Sequence, residues 1–178
     1  MQDIIIEKPY HFRPPSKHTF WSTMIKSFNL HAMWLKKNEG LEGFEIRNVD
    51  RLKKSLEAGH GILLTPNHCR YADPLVFGWL AKAVKCNVYA MASWHLFNQS
   101  GFMAWAIRKM GGFSIYREGV DRQAINTAIE ILDTGERPLV VFPEGAVSRT
   151  NDRLHAMLDG VAFIARAAAK RRKKRGDE

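Results

Sequence analysis

The chain has 178 residues, two cysteines and a formal net charge of +9. That length accommodates one domain with a sizeable core, and two cysteines are too few for a disulfide framework, which suits a reducing compartment. No run of about eighteen apolar residues exists, so no segment reads as a membrane-crossing helix, and no secretory signal pattern opens the chain. CxxC and HExxH are both absent, so no structural metal and no cofactor are expected. The positive charge fits nucleic acid, an anionic membrane surface or an anionic small molecule as partner.

In chain order, residues 1–15 contain Pro9, Pro14 and Pro15 and are expected to be irregular. From Ser16 to Lys37 the pattern predicts one amphipathic helix, with Phe20, Trp21, Met24, Phe28 and Trp34 interleaved with lysines. Such a helix either lies in a membrane interface or packs on the domain's own core. A strand is predicted over 44–49 and a helix over 50–57. The apolar run 62–65 reads as a buried strand. Asp73-Pro74 reads as a helix start, with Asp at the N-cap and Pro at the first helical position, and that helix should run to Val84. Further strands are expected at 87–91, 114–116 and 139–142, and further helices at 102–109, 121–132 and 154–169. Lys170–Arg175 is a basic run, read either as a solvated helix end or as a contact for phosphate. Strands alternating with helices predict an α/β fold, a mostly parallel sheet flanked by helices. The expected organisation is an N-terminal amphipathic segment (1–42), a core domain (43–170) and a basic tail (171–178).

The chemistry-bearing residues gather at strand ends. Asn67-His68-Cys69-Arg70-Tyr71-Ala72-Asp73 places a histidine five positions before an aspartate, and no other histidine in the chain has that partner. His68 can remove a proton from a hydroxyl while Asp73 fixes the imidazole tautomer and steadies its charge. The bland alternative for Asp73 is a helix cap. Gly112 to Arg117 (Gly-Phe-Ser-Ile-Tyr-Arg) and Phe142-Pro143-Glu144-Gly145 follow. His68, Arg117 and Glu144 each come directly after a predicted strand, and sites in such sheets form at the carboxyl ends of strands. No G-x-S-x-G elbow is present, so a serine acyl-enzyme is not indicated.

These three segments, in this order, resemble the glycerolipid acyltransferases that acylate glycerol phosphate and lysophosphatidic acid. The likeness runs from about Gly43 to about Ala169. It implies direct transfer of an acyl group from a thioester, acyl-CoA or acyl-carrier protein, to the hydroxyl of a glycerol-phosphate or lysophospholipid acceptor. It implies His68 as general base with Asp73, Arg117 on the acceptor's phosphate, and Glu144 and Gly145 in acceptor binding. It also implies a cytoplasmic protein held peripherally at the inner face of a membrane, with no nucleic acid bound.

Two departures stand out. After Phe142-Pro143-Glu144-Gly145 the family often continues Thr-Arg-Ser-Arg, whereas this chain has Ala146-Val147-Ser148-Arg149. One cation is therefore missing near the phosphate, and Arg149 or Arg70 is expected to compensate. The family's fourth block, an apolar strand with a proline, is absent before Glu178. Either the chain is a fragment or the domain lacks its last strands, which would leave a sheet edge with unpaired groups. Two other readings remain open at this point: a hydrolase with water in place of the acceptor, and a non-catalytic module that binds anionic lipid or nucleic acid.

Overall fold

The computed structural model describes residues 8–150 and 152–176. Four strands, β1 (Leu63–Leu64), β2 (Tyr89–Ser93), β3 (Gly112–Ile115) and β4 (Leu139–Val140), form one sheet in the order β1-β4-β2-β3. All three pairings are parallel. The α/β class expected from the alternation is therefore the class observed. The helices are α1 (Phe20–Ser27), α2 (Leu30–Glu39), α3 (Val49–Glu57), α4 (Asp73–Ala83), α5 (Trp94–Phe97), α6 (Gly101–Lys109), α7 (Arg122–Thr134) and α8 (Asp159–Arg175).

From β1 to β2 and from β2 to β3 the chain crosses the sheet in one direction. From β3 to β4 it returns. Right-handed crossovers then put α4 and α6 on one face and α7 on the other. The main core lies under α7, where Ala124, Ala128 and Leu132 meet Phe113, Leu139 and Val141, and α8 closes it with Ile164 and Ala168. A second cluster joins Leu35 of α2 to Ala72 and Trp79 at α4.

The outer edge of β3 is covered by residues 10–14. Ser114 N–H donates to the Arg13 carbonyl at 3.0 Å, and Arg13 N–H donates to Ser114 Oγ at 2.8 Å. The Tyr10 hydroxyl donates to the Asp121 carboxylate, and burial together with this partnership pushes the Tyr10 pKa up to about 12. At the opposite edge, no strand among the described residues pairs with the outer side of β1.

Three expectations need correction. The predicted helix over 16–37 is two helices, because Asn29 adopts φ 53°, a left-handed turn that Asn tolerates, and its Oδ1 accepts from Lys82 Nζ at 2.6 Å. No strand forms over 44–49. Phe44 instead stacks on Trp79 with ring centroids 4.8 Å apart, and Glu45 and Arg47 pair in solvent. The last helix starts at Asp159 rather than 154, because Leu158 is extended and donates its N–H to the Pro143 carbonyl at 2.8 Å. That helix carries the basic run through Arg175. Arg172 donates to the Asp133 and Gly59 carbonyls, and Arg175 pairs with Asp133 at 3.0 Å. Of the irregular segment expected at 1–15, residues 1–7 lie outside the described residues, and 8–15 carry no helix or strand.

Of the two readings of the N-terminal amphipathic segment, packing on the core is seen in its second half. α1 buries no residue, whereas α2 buries His31 and Leu35. His31 lies against Gly78 of α4, where an added Cβ would overlap the imidazole ring. Its Nε2 is buried without a partner among the described residues. Burial lowers its pKa from the ordinary 6.5, Lys82 lowers it further, and a hydrogen bond with the backbone at Ile25 acts in the opposite sense. Its folded value is thus below its unfolded value, so its stabilising contribution is complete above the ordinary imidazole range and fades as pH falls through the folded value. Thermal unfolding should occur at lower temperature at about pH 5 than at about pH 7, and His31→Gln should flatten that slope. An unchanged slope in the variant would assign the acid sensitivity elsewhere.

Candidate active site

β1 and β4 are sheet neighbours, with Leu63 opposite Leu139 and Leu64 opposite Val140. The loops that leave their carboxyl ends, 65–72 and 141–148, therefore run side by side. This places the His68 segment against Phe142-Pro143-Glu144-Gly145.

His68 Nδ1 lies 3.0 Å from Asp73 Oδ2. Both side chains are largely but not fully buried, at 15% and 23% exposure. With Nδ1–H directed at the carboxylate, the Nε2 lone pair is left free for a proton. The imidazole stacks on Phe142 at 4.0 Å between centroids and 25° between planes. Phe77 of α4 meets the same phenyl edge-on. The ring is thus fixed in plane by packing and in rotation by Asp73.

Asp73 is not the N-cap. Ala72 holds that position, and no side chain caps the helix. The Asp73 carboxylate turns back, away from the helix amides, and its Oδ2 also accepts the Arg70 backbone N–H at 2.9 Å. The expected compromise between capping and orienting is therefore resolved toward His68 and the loop that carries it.

The backbone of His68 is held from the neighbouring loop on both sides. Its N–H donates to Glu144 Oε1 at 2.9 Å, and its carbonyl accepts from Ser148 N–H at 2.7 Å. Glu144 Oε2 is buried and has no partner among the described residues. Gly145 has φ +66°, its N–H closes a turn onto the Phe142 carbonyl at 3.1 Å, and its own carbonyl accepts from Arg117 Nη1.

The three motifs therefore meet. Arg117 reaches from the end of β3 to the Gly145 turn. Arg149 is exposed, with φ 57°, and donates to the Tyr71 hydroxyl at 3.2 Å, its guanidinium 5.7 Å from that ring's centroid. The structure thus brings His68, Asp73, Arg117, Glu144, Gly145 and Arg149 to one rim. The Arg70 backbone joins them through Asp73, while its side chain stays in solvent. Sequence reasoning assigned no role to Tyr71, to the Ser148 N–H or to Phe142 as a stacking platform. An aromatic residue beside a catalytic-type histidine was the available signal for Tyr71. The backbone role of Ser148 leaves no mark on side-chain identity. Among the described residues no three His, Cys, Asp or Glu side chains converge as a metal site.

A parallel α/β sheet with an oriented histidine at its carboxyl rim is an architecture that serves several chemistries, and family comparison narrows the choice. Residues 44–174 match the family model described as Acyltransferase. The chain belongs to that acyltransferase family. Over 122 residues it is also 34% identical to a 1-acyl-sn-glycerol-3-phosphate acyltransferase of Streptococcus pneumoniae (strain ATCC BAA-255 / R6), a match covering 68% of this chain. The same match covers 42% of the relative, so the chain spans less than half that protein's length.

The Gly145 turn supplies a direct test of how tightly this rim is built. A Cβ at Gly145 would lie 2.7 Å from Leu158 Cδ1, and the left-handed backbone disfavours any L side chain. Gly145→Ala should lower stability by about 1–2 kcal/mol from backbone conformation alone. Urea unfolding measures it, and a stability equal to wild type would show that the turn relaxes freely.

Proposed function

We propose that this chain transfers an acyl group from a thioester donor, acyl-CoA or an acyl-carrier protein, to the hydroxyl of a glycerol-phosphate-type acceptor such as lysophosphatidic acid. The observation that carries this reading is the 3.0 Å contact between His68 Nδ1 and Asp73 Oδ2 at the meeting point of the three motifs. His68 Nε2 takes the hydroxyl proton as the acceptor oxygen attacks the thioester carbonyl. The C–O bond forms, the C–S bond breaks, and the proton passes to the departing thiolate. Asp73 keeps Nδ1–H in place and offsets the imidazolium charge. Arg117 uses N–H groups not engaged by Gly145 to grip the acceptor's phosphate, and the guanidinium fork suits that geometry. Arg149 and Arg70 supply the remaining positive charge at the rim.

Glu144 is given a different part from the one its motif implied. Its Oε1 is already engaged by the His68 N–H. Its role in this reading is to hold the His68 backbone so that the imidazole stays on Asp73, and Gly145 supplies the turn that makes this possible.

The protein is proposed to work at a membrane surface on the cytoplasmic side, held peripherally. No helix among the described residues is long and apolar enough to cross a membrane. α1 leaves Phe20 exposed, Phe28 is exposed just after it, and α2 leaves Met33 and Trp34 exposed.

Two measurements test the mechanism. His68→Ala should retain the fold by circular dichroism and lose about 10² to 10⁴-fold in acyl transfer, the usual loss for a general base. Assays with and without acceptor separate transfer from hydrolysis, and near-normal turnover in a folded variant would remove His68 from the reaction. Glu144→Ala should lower kcat while leaving the acceptor KM nearly unchanged, because it disturbs the base and not the bound acceptor. A raised KM at constant kcat would instead return Glu144 to acceptor binding.

A further inference from the structure

Away from the His68 rim, a cavity of about 390 Å³ opens between the segment leading into α1 and the last turn of α6. Its lining is Ser16, Lys17, His18, Trp105, Arg108 and Lys109. None of these is a carboxylate. Among the described residues, Lys17, Arg108 and Lys109 have no acidic partner. The walls are fixed by bonds to the backbone: Ser16 N–H donates to the Arg108 carbonyl at 3.1 Å, and Arg108 Nε donates to the Pro14 carbonyl at 2.9 Å. Arg137 holds the Lys17 backbone by donating to its carbonyl at 2.6 Å, its own charge offset by Glu136 at 2.8 Å.

The last turn of a helix favours cations on its own, through the dipole. Two further features go beyond that. The cavity is concave and built from two chain segments, and an aromatic ridge borders it. Trp105 meets Trp21 of α1 edge-on at 5.0 Å and stacks with Phe102 at 5.9 Å. Phe102 is 74% exposed and Phe20 66% exposed, and Met103 and Trp105 are exposed beside them. Large exposed aromatics next to unpaired lysines match an interface between acyl chains and anionic headgroups. They do not match a site for a small soluble anion, which needs no apolar rim.

We propose that the cavity binds the phosphate of an anionic phospholipid headgroup, while Phe20, Phe102 and Trp105 enter the interface around it. This rests on the peripheral-membrane reading above and assigns it a face. α6 links β2 to β3 and so runs antiparallel to the strands. Phe102 therefore lies toward the carboxyl ends of the strands, the side of His68, and Arg108 and Lys109 lie toward the amino ends. A membrane against this ridge would extend from the headgroup cavity up to the level of the active rim.

The experiment is flotation of the 178-residue chain with phosphatidylcholine vesicles, with and without phosphatidylglycerol, at low salt. Wild type should float with the anionic vesicles and weakly with the neutral ones. Lys17→Ala/Lys109→Ala should lower the partition coefficient about 30-fold, a factor near fivefold per basic residue at an anionic surface. Phe102→Ser should weaken binding to both vesicle types. Melting temperatures of the variants confirm that they fold. Equal flotation of wild type and the lysine variant would overturn the cavity assignment while leaving the membrane reading in place, and a loss confined to Met33→Ser/Trp34→Ser would move the contact to α2. Absence of wild-type flotation on anionic vesicles would end both. Calorimetric titration with inorganic phosphate separates the sources: saturable phosphate binding that the lysine variant loses, without any change in flotation, would make the cavity a free-anion site and overturn the proposal.

Discussion

The parallel pairing of β1 with β4 is the constraint on which the rest of the rim depends. It joins segments 76 residues apart in sequence, and the hydrogen bond from His68 N–H to Glu144 Oε1 follows from it. That bond fixes the backbone position whose side chain meets both Asp73 and Phe142.

The same economy of position separates α1 from α2. The left-handed turn at Asn29 lets α2 lie along α4, where Leu35 and His31 are buried, while α1 buries none of its side chains. A single straight helix would carry both faces on one stripe and could satisfy either the core or an interface at a given register. Breaking it lets α2 pack deeply on α4 while α1 lies shallower, with Trp21 against Trp105 of α6. Lys26 bonds Asn87 at 2.8 Å and Lys82 bonds Asn29 at 2.6 Å, so the end of α1 is tied to the amino-terminal side of the sheet.

Local patterns in the sequence carried much of this. Apolar runs at 62–65 and 139–142 mark strands that form, though shorter, and the placement of His68, Arg117 and Glu144 after strands put them on one rim. Strand order was not legible, because a parallel partner leaves no mark on the residues of the strand it joins. Family likeness could therefore imply that His68 and Glu144 are close, but their spacing in the chain could not. Asp73-Pro74 has every local sign of a cap, and the local rule failed because a longer-range partner, His68, takes the carboxylate. The strand expected at 44–49 failed for a related reason: Phe44 found Trp79 of α4 instead of a neighbouring strand.

Arg117 shows how topology sets the span of the site. β3 and β4 are separated by β2, and adjacent strands lie about 4.8 Å apart, so the rim between Arg117 and the Gly145 turn spans about 9.6 Å. A lysine could cross that gap only as a point charge at the end of a flexible stem. The arginine fork crosses it with one N–H committed to the Gly145 carbonyl and others left over. β3 and β1 are the two edges of the sheet, so Arg117 reaches the Gly145 turn from the side opposite the strand that carries His68. The strand order thus brings a side chain from the far edge of the sheet to the turn beside His68, and it does so through backbone topology rather than through any one side chain.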